Sequence, residues 1–286
     1  MDQRIIDLYD EYTHTPLGRR EFLLRLAKLT GSTSAALALL PFLESGGARA
    51  ALVPPGEPRL EAARLIYTGA TGDIIAYLAQ PKGTGKLPAV IVIHENRGLN
   101  PHIEDVARRA ALEGFLALAP DLLSPAGGTP TDEDKAREMI RALDGEQTLK
   151  NLLAALAFLE EHARGNGKVG AVGFCWGGGM VGDLAVGAPG LDAAVVYYGR
   201  QPDSAQVEKI RAPLLLHYAS LDTRINAGIP AFEAALKKAG KSYVLHMYEG
   251  VNHAFHNDTS EARYDKQAAE LSWSRTIAFL KEHLKA

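Results

Sequence analysis

An apolar run at 169–172 feeds directly into GFCWGGG (173–179), and a helical pattern follows. Few folds tolerate that order. A strand that turns sharply into a helix around one residue needs small neighbours two places before and two places after it, and Gly173 and Gly177 supply them in G-x-C-x-G spacing. Such a turn lifts its central side chain above the sheet edge, where the next helix N-terminus offers N–H groups and a positive dipole end to a thiolate or an oxyanion. Cys175 is the only cysteine among 286 residues. Without this setting a lone cysteine reads as a small hydrophobe. Inside the elbow it reads as a nucleophile.

The remainder of the chain alternates short apolar segments with helical patterns, which points to an α/β fold: a mostly parallel central sheet flanked by helices. Strands are expected at 64–67, 74–79, 89–94, 115–119, 169–174, 193–198, 213–219 and 243–248. The first two flank a glycine-rich turn and are expected to pair antiparallel. AVIVIH and AAVVYY are continuously apolar, as strands covered on both faces are. Helical patterns run over 103–113, 133–143, 146–162, 177–186, 229–239 and 261–284. With 47% hydrophobic residues the chain can bury one large core, so we divide it into an N-terminal extension, 1–58, and a catalytic domain, 59–286.

The charges are mixed and sum to −3, with no basic stripe of the kind nucleic acid requires. One cysteine excludes an internal disulfide. The extension carries Arg19 and Arg20 ahead of a short apolar run, 35–43, and a small-residue site, Ala48-Arg49-Ala50, so it resembles a twin-arginine export signal. Gly18 stands where Ser or Thr is usual, and Asp2, Asp7, Asp10 and Glu11 make the leader unusually acidic. The alternative is a retained amphipathic arm with Phe22, Leu23, Leu26 and Leu29 at helical spacing. The first reading puts the protein in an exported or periplasmic location, the second in the cytoplasm. The apolar run is too short to span a bilayer.

In an open α/β sheet the chemistry gathers in loops at the carboxyl ends of the strands. A cysteine nucleophile needs a base and a group to orient it, following in the order acid, then histidine. Asp222, in SLDTRI, closes the strand-like LLLHYAS, although an aspartate there could equally cap a turn or helix. His253, in GVNHAFH, lies in the loop directly after the next strand. His256, three residues on, is its rival.

IHENRG (93–98), GFCWGGG (173–179), SLD (220–222) and NHAF (252–255), in that order from about residue 60 onward, resemble the dienelactone hydrolase family of the α/β-hydrolase superfamily. The resemblance implies a Cys175–His253–Asp222 triad acting on small-molecule esters or lactones, with no metal or organic cofactor. It also implies that Glu95 faces the nucleophile. There a carboxylate would keep the resting thiol protonated until substrate displaces it. The backbone N–H groups of Asn96 and Trp176 would form the oxyanion hole.

Family members specialised for dienelactone hold a substrate carboxylate with arginines, one of them four residues after the catalytic histidine. Here that position is Asn257, which leaves the ester or lactone open. Arg97, Arg137 or Arg200 could supply a substitute cation. Other functions fit less well. GTGK (83–86) lacks the following Ser or Thr of a phosphate loop, and GAVGFCWGG lacks G-x-G-x-x-G. His94, Glu95, His253 and His256 lack the spacing of a helix-borne metal motif. A binding module without catalysis on a hydrolase fold is the remaining alternative. Oligomeric state is not legible in the sequence.

Overall fold

The computed structural model of the chain describes residues 1–44 and 51–285, so the small-residue site at 48–50 lies outside the described residues. The eight expected strands are β1 (Leu60–Gly69), β2 (Gly72–Pro81), β3 (Leu87–Ile93), β4 (Leu116–Pro120), β5 (Gly165–Phe174), β6 (Ala193–Tyr197), β7 (Leu214–Ala219) and β8 (Tyr243–Tyr248). They form one sheet in the order β1-β2-β4-β3-β5-β6-β7-β8. The β1–β2 and β2–β4 pairs are antiparallel and every other neighbouring pair is parallel.

Alternation within the central strands explains why they read as continuously apolar. Ile91 and Ile93 of β3, with Val169 and Ala171 of β5, join one core, whereas Val90, Val92, Val172 and Phe174 join a second on the opposite face. Each face carries helices, so both sets of side chains leave water. The first core takes residues from α6 (Gly145–Glu160), α7 (Trp176–Gly187) and α9 (Ile229–Lys238); the second takes them from α4 (Pro101–Leu112) and α10 (Lys266–His283). Two further helices complete this part of the chain, α5 (Glu133–Arg141) and the short α8 (Thr223–Asn226). The pattern expected from 261 starts later, at Lys266, because Asp265 caps α10 by accepting the Ala268 N–H.

Three helices precede the sheet, more than the one amphipathic helix expected. They are α1 (Gln3–His14), α2 (Arg19–Thr30) and α3 (Thr33–Leu43). Asp2 caps α1 and Ser32 caps α3 with side-chain oxygens, and Gly31 ends α2 in the left-handed region at φ 83°. Ile5, Leu8, Tyr9 and Tyr12 of α1 follow helical spacing and meet Phe22, Leu26, Ala36, Leu40 and Leu43 in a small core of their own. Phe22 and Leu26 are buried as the spacing predicts, but Leu29 is exposed. Among the described residues no single helix is long and apolar enough to cross a membrane; α2 and α3 reach that length only together, across a 110° bend. Arg19 faces Glu44 and Asp134, which ties α2 to α3 and to α5.

Candidate active site

The elbow has the strained geometry its sequence calls for. Cys175 sits at φ 56° and ψ −117°, held by its own N–H on Tyr197 O (3.0 Å) and by the Gly179 N–H on its carbonyl (3.2 Å). A β-carbon on Gly173 would stand 2.2 Å from Gly177 O, and one on Gly177 would stand 2.4 Å from His94 O. Only glycine lets strand and helix approach this closely. Tyr198 (φ 39°) and Ala254 (φ 65°) are the other non-glycine residues with positive φ among those described, and both adjoin the site. Trp176 opens α7, so its N–H has no acceptor within the helix. The Trp176 ring stacks on His94 at 5.2 Å.

Asp222 and His253 meet as the chain order predicts. Asp222 follows β7 and does two things at once: Oδ1 accepts the Ile225 N–H at 3.1 Å, capping α8, and Oδ2 accepts His253 Nδ1–H at 2.5 Å. Asp222 thus caps α8 and holds the His253 ring at the same time. With Nδ1 committed, His253 Nε2 is buried without a hydrogen-bond partner. Burial opposes a charge on His253, but Asp222, then Asp10 and the Cys175 thiolate, outweigh it and push its pKa up to about 10. His256 is elsewhere: it stacks on Phe174 at 5.0 Å, beside Tyr197 and Trp273, and burial drives its pKa down.

One residue at the sulfur had no place in the sequence reading. His14, the last residue of α1, puts Nε2 3.1 Å from Cys175 Sγ. Its Nδ1–H donates to Asp10 O at 2.8 Å and lies 3.2 Å from Asp10 Oδ1, and its ring meets His253 edge-on at 4.6 Å. Asn96 Nδ2 donates to Thr13 O at 2.9 Å, Arg97 Nη2 to Tyr9 Oη at 2.9 Å, and the Arg263 guanidinium lies over the Tyr9 ring. These contacts seat α1 on the loops that carry the site.

The balance of charge at the sulfur differs from the expectation that the thiol is kept protonated. Burial pushes the thiol pKa up, but the His14 and His253 imidazoliums outweigh burial and bring it down to about 5. Glu95 is buried in a separate net: Oε2 accepts Asn257 Nδ2–H at 2.6 Å and Oε1 accepts Tyr198 O–H at 3.4 Å. Burial disfavours its charge, yet His102, Arg97 and Arg263 hold its pKa below the usual range. Glu95 still shares the lining of a small cavity with Cys175, His14 and His253. Arg97 lies 3.2 Å from Glu133 and donates to Tyr9, while its Nε and Nη1 have no hydrogen-bond partner among the described residues.

A larger cavity of about 320 Å³ opens over the sulfur, lined by His14, Asn96, Cys175, Trp176, Tyr198 and His253. Arg137, Arg141, Arg200 and Arg224, with Ile140, Leu143 and Ile225, also line it. The volume suits a small molecule. The four groups imagined as a metal cluster do not converge, because His94 spends Nδ1–H on Glu95 O and Nε2 on the Leu122 N–H while His256 is packed among aromatic rings. The set with ligand spacing among the described residues is His14, Cys175 and His253, whose ligand atoms lie within 4.8 Å of one another.

Comparison with known proteins follows the same lines. Residues 74–284 match the sequence model of the dienelactone hydrolase family, and residues 1–31 match a separate one described as YqhI-like. A "Putative carboxymethylenebutenolidase" from Saccharolobus solfataricus is 34% identical over 76% of this chain and 97% of its own length. A "Probable 2-oxo-3-(5-oxofuran-2-ylidene)propanoate lactonase" from Bradyrhizobium sp. is 36% identical over 77% of this chain and 94% of its own. Among solved structures, a "Putative Dienelactone Hydrolase" from Klebsiella pneumoniae superposes with a TM-score of 0.72 at 28% identity, covering 78% of this chain and 98% of that one.

Proposed function

This chain belongs to the dienelactone hydrolase family, and on that premise we propose that it hydrolyses a small ester or lactone through a thioester on Cys175. The observation that carries the reading is the Asp222 Oδ2–His253 Nδ1 bond beside the strained elbow, with a His253 ring nitrogen within 4.8 Å of the Cys175 sulfur and Nε2 free to act. The thiolate attacks the substrate carbonyl carbon, and the N–H groups of Asn96 and Trp176 receive the oxyanion. The tetrahedral species collapses, His253 gives its Nε2 proton to the leaving oxygen, and a lactone's leaving group stays tethered. Water, deprotonated by His253, then attacks the thioester carbon and releases the thiolate.

Glu95 in this reading serves the pocket as a buried anion whose position Asn257 fixes. Arginines in the cavity lining favour a substrate that carries a carboxylate of its own, which the printed name of the Bradyrhizobium relative also describes for that protein. The test is a panel of esters and lactones on the full chain, with Cys175→Ala as its partner. Turnover should fall by about 10³-fold or more with the fold intact. Near-native turnover in folded Cys175→Ala would overturn the reading and leave a binding role for the cavity.

A further inference from the structure

We propose that His14, delivered by the N-terminal helix α1, is a fourth catalytic residue: its imidazolium stabilises the Cys175 thiolate at rest and again as the leaving group, while His253 moves the protons. The proposal rests on the thioester reading above. Three observations carry it. His14 Nε2 is 3.1 Å from Sγ, within contact of the reacting atom. Its Nδ1–H is committed to Asp10 O, with Asp10 Oδ1 3.2 Å away, so the ring is oriented with Nε2 toward sulfur and a carboxylate stands behind it. This repeats the relation of Asp222 to His253, whose ring His14 meets edge-on. Asp10 is in turn braced by Arg224 at 3.4 Å and Arg263 at 3.8 Å.

A single histidine would carry two duties at a cysteine nucleophile. Once His253 has given its proton to the leaving oxygen its charge is gone until it takes a proton from water, so stabilising the departing thiolate would depend on that one transfer. A second imidazolium stabilises the thiolate independently of it. The resting site holds the thiolate, His14-H⁺ and His253-H⁺. In acylation the C–S bond forms, the C–O bond breaks, and His253 loses its proton to the alcohol oxygen. In deacylation His253 takes one proton from water, the new C–O bond forms, the C–S electron pair returns to sulfur beside His14-H⁺, and the product acid releases its remaining proton to solvent. His14 keeps its proton in every step, and the sum is ester plus water giving acid plus alcohol. Burial opposes the charge on His14, but Asp10 and the thiolate outweigh it and raise its pKa.

The charged and titratable groups facing the sulfur come from every element around it. They are Asp10 and His14 of α1, Glu95 and Arg97 after β3, Arg137 and Arg141 of α5, Tyr198 and Arg200 after β6, Asp222 and Arg224 after β7, and His253 and Arg263 from the last long loop. Of these, His14 makes the hydrogen bond to sulfur at 3.1 Å, and His253 presents a ring nitrogen within 4.8 Å of it.

Because Cys175 is the only cysteine, its alkylation by iodoacetamide reads the thiol directly and needs no substrate. His14→Gln in the full chain keeps a polar side chain of similar size without the charge. Its thiol midpoint should rise by one pH unit or more, so that alkylation at pH 6 slows several-fold, while the unfolding midpoint stays close to wild type. Turnover of a neutral chromogenic ester at pH 6 should lose kcat about tenfold with KM within twofold. Should folded His14→Gln keep the wild-type thiol midpoint, or lose only KM, the proposal is overturned. Asp10→Asn, which leaves His14 in place, should shift the midpoint in the same direction by less; a downward shift would also overturn it. These results separate from the thioester reading, since retained hydrolysis in Cys175→Ala would sink that reading while the thiol titration still reported on His14.

Discussion

Asn257 Nδ2 donates to Glu95 Oε2 at 2.6 Å, and the orientation of that amide is fixed by Thr259, whose N–H and O–H both donate to Asn257 Oδ1. The position where dienelactone specialists carry a substrate-binding arginine is therefore occupied by a residue that faces inward, onto the buried carboxylate. Asn257→Asp replaces a donor by a second carboxylate against Glu95, and both positions are buried. It should destabilise the fold at pH 7.5 by about 2–3 kcal/mol. Like-charge repulsion raises the folded pKa of one member above its unfolded value, so the deficit should shrink as pH falls toward 5 and that carboxyl gains a proton. Denaturant unfolding of both proteins at the two pH values checks this; an equal deficit at both would remove the electrostatic explanation.

The two neighbouring histidines of the last loop should separate cleanly. His253→Ala removes the partner of Asp222 and should cost on the order of 10³-fold in kcat with little loss of fold. His256→Ala removes a ring packed on Phe174, Tyr197 and Trp273, so it should lower the unfolding free energy by about 2 kcal/mol while the folded fraction keeps its turnover. Comparable losses of turnover in the two variants, measured at a temperature where both are folded, would contradict these assignments.

The thiol pKa near 5 and the His253 pKa near 10 define a working window. The thiolate is the form favoured by folding, so reactivity should be present at neutral pH and lost as pH falls through about 5. Alkylation of Cys175 should be nearly flat between pH 7 and 9 and half-maximal close to 5. The profile of kcat/KM should be bell-shaped, with its basic limb near 10 as His253 loses the proton it gives to the leaving oxygen. A thiol midpoint near 8.5, the ordinary value, would show that the two imidazoliums do not act on the sulfur.

Gly177→Ala tests the elbow as geometry. Its new methyl would lie 2.4 Å from His94 O and 2.5 Å from Ile93 O, both backbone atoms that cannot swing aside. The start of α7 has to move away from β3, and with it the Trp176 N–H and the sulfur. We expect a loss of about 3 kcal/mol or more in stability and of all measurable turnover. Gly72→Ala meets no atom within 4 Å and suffers only from its positive φ of 124°, so it should cost less and leave turnover intact.

How much of this was legible in the sequence depends on whether a signal was local or came from packing. GFCWGGG announces its own backbone through its spacing: Gly173 is required by Gly177 O, four residues on in the turn, although Gly177 is required by Ile93 and His94 at the end of the adjacent strand. Asp222 and His253 are legible from order alone, each closing a strand at the same sheet edge. His14 was not legible, although the clues stand in plain view. Asp10 and His14 are four residues apart, and Ile5, Leu8, Tyr9 and Tyr12 mark the apolar face of the same helix. The acidic residues that make a poor export leader belong to this helix, and Asp10 contacts His14, Arg224 and Arg263. Which helix would lie over Cys175 is decided by contacts between segments more than 80 residues apart, such as Asn96 with Thr13 and Arg97 with Tyr9, and no pattern within α1 encodes them.

The same distance hid which arginine faces the substrate. Arg137 lines the cavity but is occupied by Asp134 and Glu133, and Arg200 by Asp183. Arg141, at the end of α5, lines it too, and its partner is a carbonyl, Thr15 O at 2.9 Å, rather than a carboxylate. Its charge is thus the one of these three least compensated by a neighbour. An exposed cation meeting a carboxylate in water is worth about 1 kcal/mol, a factor of roughly five. Arg141→Ala should therefore raise KM about fivefold for an ester whose acyl part ends in a carboxylate, leave kcat nearly unchanged, and have no effect on KM for the methyl-capped neutral analogue. The effect should fade in 0.5 M salt, as screening requires. An equal rise in KM for both esters would mean that Arg141 shapes the cavity without reading charge, and the anionic substrate class would lose its physical basis.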